Sequence, residues 1–195
     1  QIDVIASPAA GLLQWLERHT FPAEAAFADP AVCAEAARFF LDELARQGTT
    51  SACVFGTVHP QSVETLFAQA LARDLRLVAG KCLMDVHAPE VKWVRELYPE
   101  ARSYLDVYDR HGLLRERALY AHCIHLDASD RRRLADSGAA AVVCPTSNLF
   151  LGSGLFDFDA ALGAGMALAL GTDIGGGQSF SMFSAMRAAH EIARL

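Results

Sequence analysis

Short apolar segments alternate with longer amphipathic ones along this chain, and that alternation is the strongest constraint on its fold. A strand-length apolar run followed by a helical stretch, repeated, is typical of a parallel sheet covered by helices. The runs are continuous rather than alternating, which predicts strands buried on both faces. Five strands are predicted, over Thr49–Thr57, Leu75–Met84, Ala118–His122, Ala139–Cys144 and Met166–Gly171.

Apolar residues at helical spacing predict the helices that would cover this sheet. Gly48 and Gly138 each follow a predicted helix, at the position where glycine commonly ends one. The predicted helices are Ala9–His19, Pro30–Gln47, Gln61–Asp74, Glu90–Leu97, Ala101–His111, Ala128–Ser137, a short one within Phe156–Gly165, and Ser179–Leu195.

The order of elements predicts an α/β fold of the (β/α)8 barrel type, for which this chain is short. Such barrels typically take about 250 residues, whereas this chain has 195. With five strands predicted, about three strands of the barrel are expected to be missing from this chain. No low-complexity linker or charge run divides the sequence, so we predict one partial barrel domain over residues 1–195.

Composition excludes several classes of protein. A hydrophobic fraction of 52% excludes a disordered chain, and a net charge of −6 without a basic block predicts no nucleic-acid partner. No apolar run reaches the roughly 18 residues of a membrane span, and the residues from Gln1 onward do not predict a signal peptide. Five cysteines, an odd number without a C-x-x-C pair, predict free thiols in a reducing cytoplasm.

Polar residues at the carboxyl ends of the predicted strands are the candidates for chemistry, because parallel α/β folds gather their sites there. Asp173 follows the last strand and precedes Gly175–Gly177, so it can ligate a metal, accept a proton or hold a turn. His122 ends the third strand, where it can bind metal, orient a water or pack as a core histidine. His125, three residues on, would point to the opposite face, and we interpret it as structural.

Two more polar residues follow predicted strands. Asn148 comes after Ala139–Cys144, and His59 comes after Thr49–Thr57. For both we favour a turn or loop residue over a site residue. The glycines after Asp173 do not form a phosphate-binding motif, since their spacing matches none of the known ones.

Three motifs follow successive predicted strands: AHCIHL at 121–126, CPTSNL at 144–149 and GTD at 171–173. In that order they resemble the amidohydrolase superfamily. Four stretches are similar, more narrowly, to the guanine deaminase family, and the similarity covers nearly the whole chain. These stretches are Thr20–Glu24, Gly80–Asp85, Trp93–Pro99, and Thr146–Gly154 taken with Gly171–Met182.

The resemblance implies a (β/α)8 barrel that holds one zinc and hydrolyses guanine to xanthine and ammonia in purine catabolism. Asp173 matches the family's aspartate after the eighth strand, which binds zinc and passes protons. His122 matches the catalytic histidine after the sixth strand, beside the water and substrate. Gln1 matches a glutamine that contacts the purine. The resemblance further implies a homodimer.

Departures from the family pattern concern the metal ligands. The chain begins just after the place of the family's H-x-H zinc pair, and a gap is predicted near residues 85–92, where the family has its fourth and fifth strands. His87 and Glu90 keep the H-x-x-E spacing of a family motif found there, but we favour their match to a neighbouring, ligand-free segment. Val143 and Cys123 stand where the family usually has His and Gly.

Because Asp173 is the one secure ligand, with His122 as a weak second, we hypothesise that the isolated chain is inactive or nearly so. One alternative is another zinc aminohydrolase, acting on a pterin, cytosine or triazine. The other is a non-catalytic truncated barrel that serves as a binding or oligomerising module. Such a module would expose apolar strands where their neighbours are missing.

Overall fold

Parallel strands connected by helices form the fold, as the alternating sequence predicts. The computed structural model describes residues 2–80 and 96–195, and these contain five strands in two parallel sheets. Each strand lies inside its predicted segment. The strands are β1 (Ser51–Phe55), β2 (Arg76–Gly80), β3 (Leu119–Ala121), β4 (Ala140–Val143) and β5 (Ala167–Leu170).

Helices precede or follow every strand. A π-helical turn, Leu16–Thr20, joins the first helix (Leu12–Trp15) to the second (Phe21–Ala25). The predicted helix Ala9–His19 is therefore the start of a longer helical stretch. Most of the predicted helix Glu90–Leu97 lies outside the described residues. The helices are α1 (Leu12–Trp15), α2 (Phe21–Ala25), α3 (Pro30–Arg46), α4 (Pro60–Ala72), α5 (Tyr104–Arg110), α6 (Ala128–Asp136), α7 (Pro145–Phe150), α8 (Phe158–Gly163) and α9 (Met182–Ile192), with 3-10 turns at Ile2–Val4 and Ala26–Ala28.

Two of the described helices, the short α2 and α7, lie outside the predicted helices, and α7 is the one that bears on the site. The sequence there was interpreted as a strand stopped by Pro145 and followed by a turn. Pro145 is instead the first residue of the helix, where a missing backbone N–H costs nothing and the fixed φ favours helix. No helix among the described residues is long and apolar enough to cross a membrane.

The described residues divide into two compact units, of which the first comprises 2–80, 150–152 and 174–181. In it β1 and β2 pair in parallel, from Ser51 opposite Arg76 to Phe55 opposite Gly80. The long helix α3 begins where the Asp29 carboxylate accepts a hydrogen bond from the Ala31 amide, 2.8 Å away. The core of this unit is built by both long helices and the sheet, and its buried members are Ala37, Leu41, Leu44, Leu66 and Ala70.

The expectation of strands buried on both faces is wrong for this unit. Ala52 and Val54 of β1 pack against the helices, but Phe55 is 83% exposed and Val78 of β2 is 65% exposed. The reason is that α3 and α4 pack against a single face of the two-stranded sheet. Exposed apolar strands are the feature that the non-catalytic alternative, a truncated barrel, predicts.

The second unit comprises residues 96–149, 153–173 and 182–195, with the strand order β3-β4-β5. β4 is central, and Ala141 and Val143 are fully buried on one of its faces. On the other face, Leu119 of the neighbouring β3 is 57% exposed, so this sheet too is covered mainly on one side. The core cluster of the unit is Leu105, Leu134, Ala139, Ala141, Val143, Phe156, Ala161 and Met166.

A buried carboxylate joins α5 and its preceding loop to α6 in this unit. The side chain of Asp130 is 2% exposed and pairs with the Arg102 guanidinium. It also accepts hydrogen bonds from Ser103 Oγ at 3.0 Å and from Arg133 Nη1 at 3.1 Å. Arg133 Nη1 also donates a hydrogen bond to Asp106 Oδ1 of α5, 2.5 Å away. A buried charge is tolerated only when paired in this way, so this network fixes α6 beside α5.

Substituting Gly56 tests the close approach of β1 and α4. A Cβ there would lie against Val63 Cγ2 and 2.9 Å from the Gly80 carbonyl oxygen. We expect Gly56→Ala to lower the free energy of unfolding by about 1–3 kcal/mol, as other overpacked cores do. The matched variant is Gly80→Ala, whose Cβ meets no atom of the described residues within 4 Å; it should leave stability unchanged or raise it by up to about 1 kcal/mol. Urea unfolding measures both, and equal effects would contradict the packing argument.

Removing the buried carboxylate should weaken the second unit. We expect Asp130→Ala to lower the free energy of unfolding by about 2 kcal/mol, because three donors lose a charged acceptor while both arginines remain partly solvated. Asp136→Ala, on the exposed side of the same helix, is the control and should change stability by less than about 0.5 kcal/mol. A loss for Asp130→Ala no larger than that of the control would show that the network does not hold α6.

Candidate functional site

The predicted candidates His122 and Asp173 come together at the carboxyl edge of the β3-β4-β5 sheet. His122 directly follows β3, and its amide still donates to the Val142 carbonyl of β4, 2.8 Å away. Asp173 lies three residues beyond β5. The hydrogen-bond ladder between β4 and β5 extends past β5 to Gly171, whose amide donates to the Val143 carbonyl at 2.9 Å. Because neighbouring parallel strands end side by side, residues 51 positions apart in sequence share one edge.

Three residues at this edge have strained backbone. His122, Cys123 and Asp173 have φ of 67°, 54° and 46°, in the left-handed region that residues with a side chain rarely adopt. Each such residue costs about 1–2 kcal/mol. The backbone therefore leaves the strand direction at both candidate residues. Backbone strain of this kind clusters at functional sites.

The imidazole and the carboxylate face each other without touching. His122 Nε2 lies 3.8 Å from Asp173 Oδ2, beyond hydrogen-bond distance. The side chains are 40% and 35% exposed, so both groups are open to a ligand from solvent. An imidazole nitrogen and a carboxylate oxygen can each take a proton or bind a metal ion.

Asn148 holds His122 from the other side of the ring. Its Oδ1 lies 2.7 Å from His122 Nδ1, and the residue is only 2% exposed. Asn148 lies in α7, where its amide donates to the Cys144 carbonyl at 3.0 Å. The interpretation of Asn148 as a turn residue is therefore wrong. Its position after β4, at the same edge as His122, was the signal that could have identified it.

The two cysteines beside this edge are not activated nucleophiles at neutral pH. Burial raises the pKa of Cys144 to about 12, and the negative charge of Asp173 adds to the rise. Burial alone raises the pKa of Cys123 to about 12. Both thiols therefore keep their protons, whereas the thiolate is the form that attacks carbon.

Three other candidates fall outside the described part of the chain, and a fourth is an exposed turn residue. Gln1, His87 and Glu90 lie outside the described residues, so their predicted roles stay predictions. His125 is exposed in the turn that precedes α6. Within residues 2–80 and 96–195, no group of three or more His, Cys, Asp or Glu side chains could hold a metal ion.

Comparison with known proteins places this edge in a family. The model of the amidohydrolase family matches residues 86–195, more than half of the chain, and that range contains His122, Asn148 and Asp173. The chain belongs to the amidohydrolase family. The structural neighbours of amidohydrolase type agree with the α/β fold of parallel strands, while the number and place of missing strands stay predictions.

Guanine deaminases are among the most similar relatives of this amidohydrolase chain. That of Escherichia coli (strain K12) is 32% identical, and the match covers 100% of this chain and 60% of the relative. The E. coli structure has a TM-score of 0.95 at 31% identity, covering 100% of this chain and 61% of its own. A guanine deaminase from C. acetobutylicum, solved with guanine in its active site, has a TM-score of 0.93 at 22% identity. The match covers 99% of this chain and 63% of the C. acetobutylicum chain.

A zinc-containing amidohydrolase structure is also similar. An adenosine deaminase from Xanthomonas campestris with bound zinc has a TM-score of 0.76 at 25% identity, covering 99% of this chain and 58% of its own. The chain thus spans about 60% of the length of the relatives that it matches. The E. coli match extends over 263 residues against 195 here, so at least 68 of them have no counterpart in this chain. The predicted position of that gap, near residues 85–92, stays a prediction.

Glycine should fit the strained position 123 better than alanine does. Cys123→Gly and Cys123→Ala both remove the sulfur, but only glycine adopts a φ of 54° without steric cost. We expect the glycine variant to be more stable than the alanine variant by about 1 kcal/mol in urea unfolding. This order is the reverse of that in an ordinary strand, and an alanine variant at least as stable would contradict the strain at this edge.

Proposed function

We propose that this chain is part of a zinc-dependent enzyme that hydrolyses guanine to xanthine and ammonia. The observation that carries the proposal is the facing pair of His122 and Asp173 at the carboxyl edge of an amidohydrolase sheet. The identity of 32% with a guanine deaminase, over the whole of this chain, supports guanine as the substrate.

The described residues fit a zinc ion only in part. His122 and Asp173 offer a nitrogen and an oxygen that zinc accepts, whereas a catalytic zinc takes three protein ligands and an open position. With no group of three such side chains in residues 2–80 and 96–195, this part of the chain does not supply a complete zinc site. The zinc in the Xanthomonas neighbour supports zinc as the metal, and zinc when bound supplies an activated water.

The roles proposed for the two side chains follow from their chemistry. Hydrolysis forms a bond from water oxygen to the amine-bearing carbon of guanine and breaks the bond to nitrogen, which leaves as ammonia. In the proposed step the Asp173 carboxylate takes a proton from the attacking water, that proton passes to the departing nitrogen so that it leaves as ammonia, and His122 Nε2 holds the water or the substrate. Gln1 remains the proposed contact to the purine.

Compartment and assembly are also proposals. The four described cysteines, Cys33, Cys53, Cys123 and Cys144, are free, which supports a reducing compartment such as the cytoplasm. We propose a homodimer, as the family resemblance implies, and guanine as the small-molecule partner. We propose no nucleic-acid partner and no membrane partner.

The isolated chain should lack a complete site. We expect the purified 195-residue polypeptide to bind less than one equivalent of zinc and to release no steady ammonia from guanine, because its described residues bring only two donors together. Elemental analysis after dialysis and an ammonia-coupled assay measure the two quantities. One equivalent of tightly bound zinc with steady ammonia release would contradict this prediction.

Guanine activity itself is tested on the complete product of the gene, whose intact mass shows whether it extends beyond residues 1–195. We expect it to hydrolyse guanine faster than cytosine, a pterin or a triazine, and Asp173→Asn to lower kcat/KM by at least about 100-fold. The control His125→Gln changes an exposed residue near His122 and should leave kcat/KM unchanged. Faster turnover of another ring would reassign the substrate, and a metal-free dimer without turnover would favour the non-catalytic module.

A further inference from the structure

We infer that Asn148 is a positioning residue, which orients the His122 ring and keeps the proton on Nδ1 so that the Nε2 lone pair faces Asp173. The catalytic consequence of this orientation rests on the proposed function. The hydrogen-bond geometry from which the orientation is inferred does not. It assigns a role in the site to a residue that contacts His122 and would act on the reaction only through that side chain.

The hydrogen bond between the two side chains is short and protected from water. Asn148 Oδ1 and His122 Nδ1 are 2.7 Å apart, and Asn148 is 2% exposed. An amide oxygen is only an acceptor, so the imidazole nitrogen that it contacts must carry the proton. In a neutral histidine the other nitrogen, Nε2, is then an acceptor.

Asn148 is itself held rigidly enough to orient its partner. Its backbone amide donates to the Cys144 carbonyl at 3.0 Å, and its carbonyl accepts from the Ser153 amide at 2.9 Å. His122, by contrast, has a half-exposed side chain at a strand end with a φ of 67°. Of the two side chains, the buried one is therefore the fixed reference and the exposed one is oriented by it.

The remaining atom of the amide shows that the side chain is not there for packing. Asn148 Nδ2 is buried and has no hydrogen-bond partner among the described residues. A buried unpaired N–H destabilises a fold, and an apolar side chain of equal size would avoid it. The bond from Oδ1 to His122 is the one polar contact that accounts for an asparagine side chain at this position in the described part of the chain.

The opposite amide orientation fits the site less well. It would place Nδ2 against Nδ1 and put the proton on Nε2, directed toward the Asp173 carboxylate. An N–H group directed at a carboxylate normally approaches it to hydrogen-bond distance. His122 Nε2 and Asp173 Oδ2 are instead 3.8 Å apart. Two acceptors at that separation instead leave space for a water that donates to both.

The tautomer of His122 is measurable without activity. Long-range proton–nitrogen NMR on the full chain with 15N-labelled histidine, above the pH at which the ring titrates, shows which nitrogen carries the proton. His122→Gln assigns the signal among the seven histidines. We expect the Nδ1–H form in the native chain and in Asn148→Asp, which keeps an acceptor oxygen, and a mixture rich in Nε2–H in Asn148→Leu.

Ser147→Ala is the matched control, because Ser147 is the preceding residue of α7 and is fully buried with a hydroxyl that has no partner among the described residues. It should leave the His122 signal unchanged. An Nε2–H form in the native chain overturns the inference, and so does a folded Asn148→Leu variant with an unchanged tautomer. Should Asn148→Leu fail to fold, the native spectrum and Asn148→Asp still decide.

Catalysis gives a second readout that separates this inference from the proposed function. In the complete gene product, Asn148→Leu should lower kcat about 10–100-fold, as loss of a supporting hydrogen bond typically does, with KM nearly unchanged and with recovery in Asn148→Asp. A native Nδ1–H tautomer in a protein that does not hydrolyse guanine would refute the proposed function alone. Guanine hydrolysis with an Nε2–H tautomer would refute the positioning role alone.

Discussion

The parallel register of β3, β4 and β5 is the constraint on which the candidate site depends. Val142 of β4 pairs with Ala121 and Ala169 on its two sides, and the ladder continues one step beyond to the amide of His122. A slip by one residue would exchange the two faces of a strand. The fully buried Val143 prevents that slip, because its side chain would have to leave the core. The core of the sheet thus determines the positions of the His122 imidazole and the Asp173 carboxylate at its carboxyl edge.

At that edge, strain and hydrogen bonding act together. The left-handed residues His122 and Asp173 direct both side chains away from the strand axis, and such a backbone persists only where the surrounding structure enforces it. The ladder bonds to β4 hold the main chain on one side of the imidazole, and Asn148 holds the ring on the other. Since β4 leads directly into α7, one strand–helix unit supplies both restraints.

Much of this architecture follows from the sequence, for identifiable reasons. All five described strands lie inside predicted segments, because β-branched and apolar runs bounded by turn residues are a strong local signal. Burial on both faces was a wrong expectation, since apolar runs do not reveal how many neighbours a sheet has. The helix α7 was missed because Pro145 both stops a strand and starts a helix. Asn148 was misjudged because a bond between residues 26 apart has no local sequence signature. The roles of Gln1, His87 and Glu90 stay predictions.

The proposed reaction chemistry and the proposed substrate are supported by different features of the chain. A carboxylate that takes a proton and an imidazole that holds a water suit the hydrolysis of any amine-bearing heterocycle, so His122 and Asp173 by themselves do not select guanine from cytosine or a triazine. Selection of the ring needs groups that pair with its edge, and a missing partner there leaves buried polar atoms unpaired. The proposed substrate, guanine, is therefore supported by similarity over the whole chain, whereas the proposed hydrolytic deamination is supported by the geometry of one sheet edge. A change of substrate within this family would leave the proposed roles of His122, Asp173 and Asn148 intact.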